Sequence, residues 1–423
     1  MQKRILFSVI IIVMSILIHS LNPQNCKAIT KFVSDYVEYN GPRALAMGAA
    51  SIVISDGNTS HLSNPAALVT ISRSQIIGGV NIDMVSEESF ERDKQVLDNS
   101  QNYLNPLRSQ GLVIQNKDIF TSAVSRGILC DYFTKQEKRD EKTKEYFSYE
   151  SKGGLYNISV SAAKKVVPKL AIGGSLNILR GDRDIESIYT REESIYEWEW
   201  WEETEKTRVK ETTYNWTTES TESGINISLG GLYALTDQIS VGAVYKTSGE
   251  VTKKLTTTET EDGKVGKTDS TKEKWTYPAS MGVGAAYKYE QILFVGEIHR
   301  TNWADYKWHE MGGAPSRPEY VNLTTFHVGF EYEASVTSLS PEPLLLRGGF
   351  YTAPFHFLEE LSTDETTGYF ATAGLGINAG DFRIDIAGQI GKKTFTEPEG
   401  KRDYEASIKS VLGTISYQFD LFK

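Results

Sequence analysis

Residues 155–162 read LYNISVSA, and residues 382–390 read FRIDIAGQI. In both stretches apolar side chains alternate with small, polar or charged ones, and residues 170–179 and 225–233 repeat the pattern. Successive side chains of a β-strand point to opposite faces, so this period of two indicates strands that bury one face. Because the pattern recurs along the chain, it predicts an all-β protein.

The chain contains about 14 strand candidates of this kind. They span residues 69–83, 111–125, 143–150, 153–167, 169–182, 222–235, 238–253, 279–289, 291–308, 321–335, 343–353, 367–379, 381–394 and 405–421. A soluble β-sandwich would show the same alternation with its apolar face inside. Alternation alone therefore does not orient the sheet.

Three features favour a membrane protein whose apolar face points outward. Small residues occupy the opposite face, as at 282–286 and 372–376, which suits a crowded lumen. Tyrosine repeatedly ends a strand candidate, as expected for an aromatic girdle. These tyrosines are Tyr233, Tyr245, Tyr287, Tyr289 and Tyr417. With the export signal described below, they predict a transmembrane antiparallel β-barrel of about 14 strands in the outer membrane of a Gram-negative bacterium.

Composition agrees with a barrel and argues against a bundle of membrane helices. Hydrophobic residues make up only 39% of the chain and aromatic residues 11%, and there are 35 glycines and 22 tyrosines. A spanning helix needs about 20 consecutive apolar residues, and no stretch after residue 30 approaches that length. The formal net charge of −10 argues against nucleic acid as a partner, because phosphate binding requires a basic surface.

The N-terminus predicts a signal peptide over residues 1–28. Two basic residues precede the apolar run 5–18, and Cys26 and Ala28 place small residues at the two positions that a signal peptidase reads, so we expect cleavage after Ala28. The alternatives are an uncleaved anchor helix, for which the run is short, and a lipoprotein acylated at Cys26. Cleavage would leave Cys130 as the single cysteine, so no intramolecular disulfide is expected.

Connections between strand candidates alternate between short and long, as in barrels with short periplasmic turns and longer extracellular loops. The short connections lie at Pro168, Thr236-Asp237, Glu290 and Gly380. The longest excursion, residues 185–222, predicts an extracellular extension. The tryptophans of its stretch EWEWWE, Trp198, Trp200 and Trp201, either gather apolar ligands or pack within the extension. The final strand ends in alternating aromatics, which resembles the assembly signal of outer-membrane barrels, although Lys423 follows them.

The segment after the predicted signal peptide carries the most specific pattern. The stretch GPRALAMGAA at 41–50 leads through SDGN at 55–58 into SNPAAL at 63–68. This pattern resembles the start of the FadL family of outer-membrane transporters for long-chain fatty acids and other hydrophobic compounds, including its PorV-like relatives. Similar short motifs follow at Glu297 with residues 301–306, at 346–351 with Pro354, and at 385–387, so the resemblance covers nearly the whole mature chain.

The resemblance implies an N-terminal hatch, residues 29–68, that plugs a barrel formed by residues 69–423. Its implied gating residues are Gly48, Asn64, Pro65 and Ala66. In physical terms, Pro65 removes a backbone donor and cannot extend a strand ladder, while the Asn64 amide can satisfy nearby backbone groups. The alternative is an ordinary N-terminal loop before the first strand.

In the FadL family, a hydrophobic ligand binds among the extracellular loops and moves to a site inside the barrel. It leaves sideways through the wall after the hatch shifts. The resemblance therefore implies passive uptake of long-chain fatty acids or other hydrophobic compounds by a monomeric barrel surrounded by outer-membrane lipids. Removal of apolar surface from water, at roughly 25 cal/mol per Å², would drive binding.

Charged residues on the predicted inner face are the candidate ligand contacts. They are Glu297, Arg347, Arg383 and Asp385, with His299 on the same face. An arginine there could hold a fatty-acid carboxylate in a charge-assisted pair. Alternatively, the charges pair with one another and brace the hatch or the wall. Arg383 and Asp385 lie two residues apart on one strand face, so they can be neighbours.

Residue patterns do not favour an enzyme. The six histidines are isolated and no Gly-x-Ser-x-Gly motif occurs, so no catalytic residues are predicted. Cysteine and histidine spacings match no metal-ligand motif, and no cofactor is expected. A shuttle or scaffold role like that of PorV, in which the barrel binds a partner protein in secretion, stays open as the alternative to transport. A general porin is disfavoured, because a plugged lumen excludes an open aqueous pore.

Overall fold

A computed structural model describes residues 41–55, 63–91, 94–116, 120–131, 134–140, 144–199, 204–306, 308–309, 319–335, 342–354, 357–358, 367–396 and 403–421. The predicted signal peptide with its cleavage site lies outside the described residues, and so do residues 29–40 of the predicted hatch.

Fourteen antiparallel strands close into one barrel. In chain order they are β1 Ser74–Glu91, β2 Lys94–Asn116, β3 Phe120–Asp131 continued by Thr134–Asp140, β4 Glu145–Val167, β5 Leu170–Glu199, β6 Thr204–Ala234, β7 Ile239–Lys246 continued by Gly249–Glu261, β8 Lys264–Tyr277 continued by Ser280–Tyr289, β9 Ile292–Thr301 continued by Trp308–His309, β10 Leu323–Ala334, β11 Leu344–Thr352, β12 Thr367–Ala379, β13 Phe382–Thr396 and β14 Asp403–Phe419. Each strand pairs with the next, and β1 pairs with β14, Ser74 lying opposite Phe419. Closure removes the free strand edges that lipid could not hydrogen-bond. Two short strands, Glu319–Tyr320 and Phe357–Leu358, form a separate ladder.

The predicted number of strands is confirmed, but three of the predicted candidates are misplaced. Candidate 111–125 spans the connection between β2 and β3, because alternation continues on both sides of it. Candidates 143–150 and 153–167 belong to the single strand β4. Gly153 and Gly154 resemble a turn in the sequence. In the structure, Gly153 takes a φ of 108° within a continuous ladder, where Lys152 lies opposite Asp184.

The apolar faces of the strands point outward, as predicted. On β6, Ile225 and Leu229 are 58% and 56% exposed, whereas the side chains of Asn226 and Ser228 are buried. The five tyrosines assigned to an aromatic girdle are all exposed: Tyr233, Tyr245, Tyr287, Tyr289 and Tyr417. An apolar outer surface around a polar interior is the arrangement of a barrel that faces lipid.

The connections at one end of the barrel are mostly tight, whereas the other end carries both short connections, as at 262–263, and the long connection between β9 and β10. Tight connections join β4 to β5 at 168–169, β8 to β9 at 290–291 and β12 to β13 at 380–381. Tight turns of this kind are periplasmic in outer-membrane barrels, and we use that name for this end. At the opposite end, the predicted extension 185–222 consists of strand, because β5 and β6 stay paired until Glu199 lies opposite Thr204. The side chains of Trp198, Trp200 and Trp201 lie outside the described part, whereas Trp216 of the same hairpin stacks on Tyr214 with ring centroids 5.9 Å apart.

Residues 41–55 and 63–71, which we name the N-terminal segment, lie inside the barrel. Helix α1, Gly41–Ala46, packs against β11 to β14, and the 3-10 helix Pro65–Thr70 packs against β3 to β6. Leu45, Met47 and Leu68 are fully buried against the inner wall. Within the described ranges, no helix is long and apolar enough to cross a membrane.

Candidate functional site

The Asn-Pro-Ala sequence attaches one end of the N-terminal segment to the wall. Asn64 caps the 3-10 helix: its Oδ1 accepts a hydrogen bond from the Ala66 N–H at 3.0 Å, and its Nδ2 donates to the Gly231 carbonyl of β6 at 2.8 Å. Pro65 occupies the start of the helix, where its missing N–H costs nothing. The wall approaches so closely that a Cβ at Gly230 would lie 1.8 Å from Asn64 Oδ1.

Gly48 lies against the opposite side of the wall through its backbone. Its N–H donates to Thr372 Oγ1 at 3.0 Å, and its carbonyl lies 2.8 Å from His327 Nδ1, so that ring nitrogen carries a proton. The φ of Gly48 is 69°, and an added Cβ would lie 2.2 Å from the Val328 carbonyl oxygen. A facing glycine, Gly349, would place its Cβ 2.1 Å from the Gly48 nitrogen. Backbone therefore packs directly on backbone, which only glycine permits.

Glu297 of β9 holds the middle of the N-terminal segment. Its side chain is fully buried, and its two carboxylate oxygens accept hydrogen bonds from the backbone N–H groups of Ser51 at 2.8 Å and Ile52 at 2.5 Å. His299 Nε2 lies 3.1 Å from the same carboxylate. The structure thus places this predicted ligand residue on the backbone of the N-terminal segment.

The other three predicted ligand residues belong to a row of buried charges. Arg347 of β11 reaches Glu331 of β10 with its Nε at 2.6 Å and Asp385 of β13 with its Nη1 at 2.7 Å. Arg383 holds Asp385 from the other side at 2.7 Å, as the neighbour spacing predicted. Arg43 of the N-terminal segment joins the row through Glu331, at 2.7 and 3.0 Å. These charges therefore pair with one another, which was the alternative to ligand binding.

The Arg347–Asp385 pair spans a strand that lies between its partners. Strand β12 separates β11 from β13, and Gly376 lies opposite Asp385 in the ladder. A Cβ at Gly376 would lie 2.6 Å from both Arg347 Nη2 and Asp385 Oδ1. Because Gly376 has no side chain, the Arg347 guanidinium can cross β12 and reach Asp385.

Extracellular to the N-terminal segment, the inner face of the wall carries two layers of side chains that the sequence analysis did not identify. The first is a polar belt of hydrogen-bonded side chains on β4 to β6. Ser161 and Ser175 lie 2.7 Å apart, and Asn177 Nδ2 donates to Asn226 Oδ1 at 2.7 Å and to Ser228 Oγ at 2.8 Å. These contacts satisfy the Nδ2 of Asn177, whereas its buried Oδ1 has no hydrogen-bond partner in the described part of the chain.

The second layer is an apolar cluster on the inner face, which we name the lumen cluster. It comprises Leu129, Leu155, Leu179, Val251 and Tyr277, with Trp275 packed against it. Inward-facing apolar residues elsewhere, such as Phe370, Leu412 and Val113, pack in clusters with the N-terminal segment, whereas the lumen cluster consists of wall residues alone. A usable signal was present in the sequence: Ile128-Leu129 and Ile178-Leu179 are adjacent apolar pairs, which break the alternation and make both faces of the strand apolar.

The hydrogen-bond ladder between β7 and β8 is interrupted beside the lumen cluster. Residues 247–248 of β7 and 278–279 of β8 leave the ladder between the pairs Lys246–Ser280 and Gly249–Tyr277. Pro278 has no N–H to donate, so it cannot complete the ladder there. Two residues of the lumen cluster, Val251 and Tyr277, flank this interruption.

On the membrane side of β6 to β10, an apolar recess of about 790 Å³ lies in the wall. Tyr233, Val283 and Phe326 border it, and small residues such as Ala243 form its floor. The same stretch of wall contacts Ile52 of the N-terminal segment from inside, because a Cβ at Gly242 would lie 3.0 Å from Ile52 Cγ2. The wall between the segment and the membrane is therefore thin at this point.

Among the described residues, no group of three or more His, Cys, Asp and Glu side chains is placed to hold a metal ion.

Several solved structures share this fold. The chain is similar to a FadL homologue from Pseudomonas aeruginosa (13% identity, TM-score 0.63, 92% of this chain and 100% of that one) and to the toluene transporter TodX from Pseudomonas putida (17%, 0.65, 92% and 100%). It is also similar to the toluene transporter TbuX from Ralstonia pickettii (15%, 0.57, 90% and 99%). The predicted 14-stranded antiparallel barrel is thus confirmed, and the chain is an outer-membrane β-barrel.

A search of curated proteins found no match to this chain. A family model described as BamG matches residues 35–393. Because that match covers well over half of the sequence, the protein belongs to the BamG family.

Proposed function

We propose that this barrel takes up hydrophobic compounds passively, with long-chain fatty acids as one candidate class. The observation that carries the proposal is the lumen cluster. An apolar cluster of wall residues beyond the N-terminal segment gives an apolar molecule a place to leave water, at a gain of roughly 25 cal/mol per Å² buried. No covalent step is required, so the proposal assigns no catalytic residue.

The N-terminal segment acts in this proposal as part of a hatch that extends over residues 29–68. Hydrogen bonds to the wall at Asn64, at Gly48 and at the Glu297 carboxylate support this role. In the proposal, the hatch closes the periplasmic half of the lumen. Pro65 and Ala66 begin the 3-10 helix Pro65–Thr70, which packs against β5 and β6 among other strands. With the lumen closed below it, a molecule in the lumen cluster has no open route to the periplasm.

Exit in this proposal is sideways, through the wall into the membrane. The interruption between β7 and β8 supports this route, because it lies beside Val251 and Tyr277 and lacks ladder hydrogen bonds that would have to break. An apolar ligand then moves from one apolar environment to another and never enters water. Its movement needs no energy source beyond the concentration gradient.

Uptake assays test the proposal. In cells that lack the gene, accumulation of labelled oleate and labelled toluene is expected to fall, and the intact gene restores it. Leu179→Asn places an amide in the lumen cluster and is expected to lower uptake about tenfold, because the lost apolar contact and the desolvated amide together cost 1.5 kcal/mol or more, as an order of magnitude.

Leu179→Met keeps the site apolar at similar volume and serves as the matched control, with uptake close to that of the unmodified chain. Equal uptake with Leu179→Asn and Leu179→Met, at equal amounts of folded barrel, would show that the lumen cluster is not on the route.

The second candidate is a PorV-like scaffold that binds a partner protein. It is supported by the extracellular continuation of β8, residues 264–273, whose described pairing is with β7 alone. A strand edge of this kind presents N–H and C=O groups to which another chain can add a strand. Retention of a protein partner together with unchanged uptake in the deletion strain would favour this candidate.

A further inference from the structure

Two asparagine side chains beside the lumen cluster keep a buried amide oxygen without a hydrogen bond. Asn157 of β4 is 2% exposed and Asn177 of β5 is fully buried. The Oδ1 of each has no hydrogen-bond partner in the part of the chain that the structure describes. A buried acceptor without a partner costs free energy, and most buried polar groups in native proteins are paired. The two exceptions therefore call for a physical reason.

Both amides lie next to Leu179 of the lumen cluster. Asn157 is opposite Leu179 in the ladder between β4 and β5, and it follows Leu155 by two residues on the same strand face. Residues directly opposite each other have Cβ atoms roughly 5 Å apart. Asn177 precedes Leu179 by two residues on β5, so its side chain points to the same side of the wall. The apolar cluster and the two oxygens thus share one region of the lumen.

The hydrogen bonds of Asn177 fix the direction of its amide. Its Nδ2 donates to Asn226 Oδ1 at 2.7 Å and to Ser228 Oγ at 2.8 Å, and both partners belong to β6. Exchanging the nitrogen and the oxygen of Asn177 would place an oxygen against Asn226 Oδ1, so the network assigns this orientation. Because the two atoms of an amide point in different directions, Oδ1 is directed away from β6.

The chemistry of the two amide oxygens selects among the head groups of a compound that enters the lumen cluster. Both oxygens accept hydrogen bonds and carry no full charge. A carboxylate has no proton to donate to them. An ammonium group would leave water for neutral acceptors alone, which is costly for a full charge. A hydroxyl group donates a hydrogen bond without carrying a charge, so it matches these acceptors best.

We propose that the lumen cluster takes apolar compounds that carry a hydroxyl group, such as alcohols and phenols. The apolar body separates the packed side chains of Leu155 and Leu179, and the hydroxyl donates to Asn157 Oδ1, with Asn177 Oδ1 as a second acceptor nearer the N-terminal segment. A site with a buried acceptor discriminates more strongly than a purely apolar pocket, because the acceptor stays unpaired when the donor is missing. The inference rests on the proposed uptake function and narrows its substrate class.

Isothermal titration calorimetry on the full-length barrel in lipid nanodiscs tests the proposal, with the heat of empty nanodiscs subtracted. The probes are benzyl alcohol, benzyl methyl ether and toluene, which share one benzene ring. The ether keeps the oxygen of the alcohol but has no O–H to donate. We expect benzyl alcohol to bind about tenfold tighter than benzyl methyl ether, although the ether is the more apolar of the two.

Asn157→Leu removes the amide oxygen and keeps the branching of the side chain. We expect it to weaken the binding of benzyl alcohol about tenfold and to leave toluene bound no more weakly than in the unmodified barrel. Asn215→Leu is the matched control. Asn215 Oδ1 also has no partner in the described part of the chain, but Asn215 lies opposite Ile188 in the extracellular extension, away from the lumen cluster. This variant is expected to bind all three probes as the unmodified barrel does.

The outcomes separate this inference from the uptake function on which it rests. If toluene binds saturably but the ether binds as tightly as the alcohol, or Asn157→Leu binds the alcohol unchanged, the inference is overturned and the uptake proposal stands. If none of the three probes binds saturably, the lumen cluster is not an apolar binding site and both fail. Should Asn157→Leu not assemble, the comparison of alcohol with ether on the unmodified barrel decides alone.

Discussion

In the Glu297→Ala variant, we expect the backbone amides of residues 49–55 to exchange with solvent deuterium about a hundredfold faster than in the unmodified barrel. The substitution removes the acceptor of the hydrogen bonds from Ser51 and Ile52. A buried hydrogen bond to a charged acceptor contributes about 1.5–3 kcal/mol, so losing two weakens the attachment of the segment by roughly 3 kcal/mol or more. Hydrogen–deuterium exchange with mass spectrometry measures the change directly.

Two further variants define what the exchange result means. Glu297→Gln keeps one acceptor oxygen and is expected to give an intermediate rate. Glu333→Ala removes an exposed carboxylate whose described ion pair is with Lys288 on the outer surface. Deuterium exchange at residues 49–55 is expected to stay unchanged in this variant, because exposed ion pairs contribute little. Full protection of residues 49–55 in Glu297→Ala would mean that the wall holds the segment by other contacts.

Arg347→Met is expected to lower the free energy of unfolding of the barrel by about 3–5 kcal/mol. The guanidinium group is fully buried between Glu331 and Asp385, and its loss leaves each buried carboxylate with one positive charge fewer beside it. Methionine fills most of the volume, so a cavity contributes little to the effect. Urea unfolding of the barrel reconstituted in lipid vesicles, followed by tryptophan fluorescence, gives the value.

Lys392→Gln is the matched control for the loss of an ion pair. Lys392 pairs with Glu405 at 2.5 Å, but its side chain is 51% exposed, so the expected change is below about 1 kcal/mol. Equal stabilities for Arg347→Met and Lys392→Gln would contradict the assignment of a structural role to the buried row.

The barrel could be predicted from the sequence because one physical constraint acts on every strand. Each strand faces lipid on one side and a packed lumen on the other, so Ile225 and Asn226 must differ, and the period of two follows. The outward direction needed a second argument from small inner residues and tyrosines. The strand candidates were misplaced where the alternation weakens. At Gly153, for example, the backbone takes a positive φ within a continuous strand.

The candidate site was harder to predict, because its contacts join residues far apart in the chain. Glu297, Arg347, Arg383 and Asp385 were recognised as inward-facing charges, but their partners depend on strand register and on the position of Arg43. The crossing at Gly376 needs the three-dimensional ladder as well. The lumen cluster was missed because Leu155 and Leu179 were assigned to alternation, although Leu179 breaks it.

Native mass spectrometry of the barrel, purified from its own membrane in detergent and combined with extraction of bound lipids, tests the central proposal most directly. We predict that a fatty acid or another hydrocarbon-rich compound co-purifies with the barrel and is lost in Leu179→Asn but retained in Leu179→Met. An empty barrel that instead retains a protein partner would contradict hydrophobic uptake and favour the scaffold role.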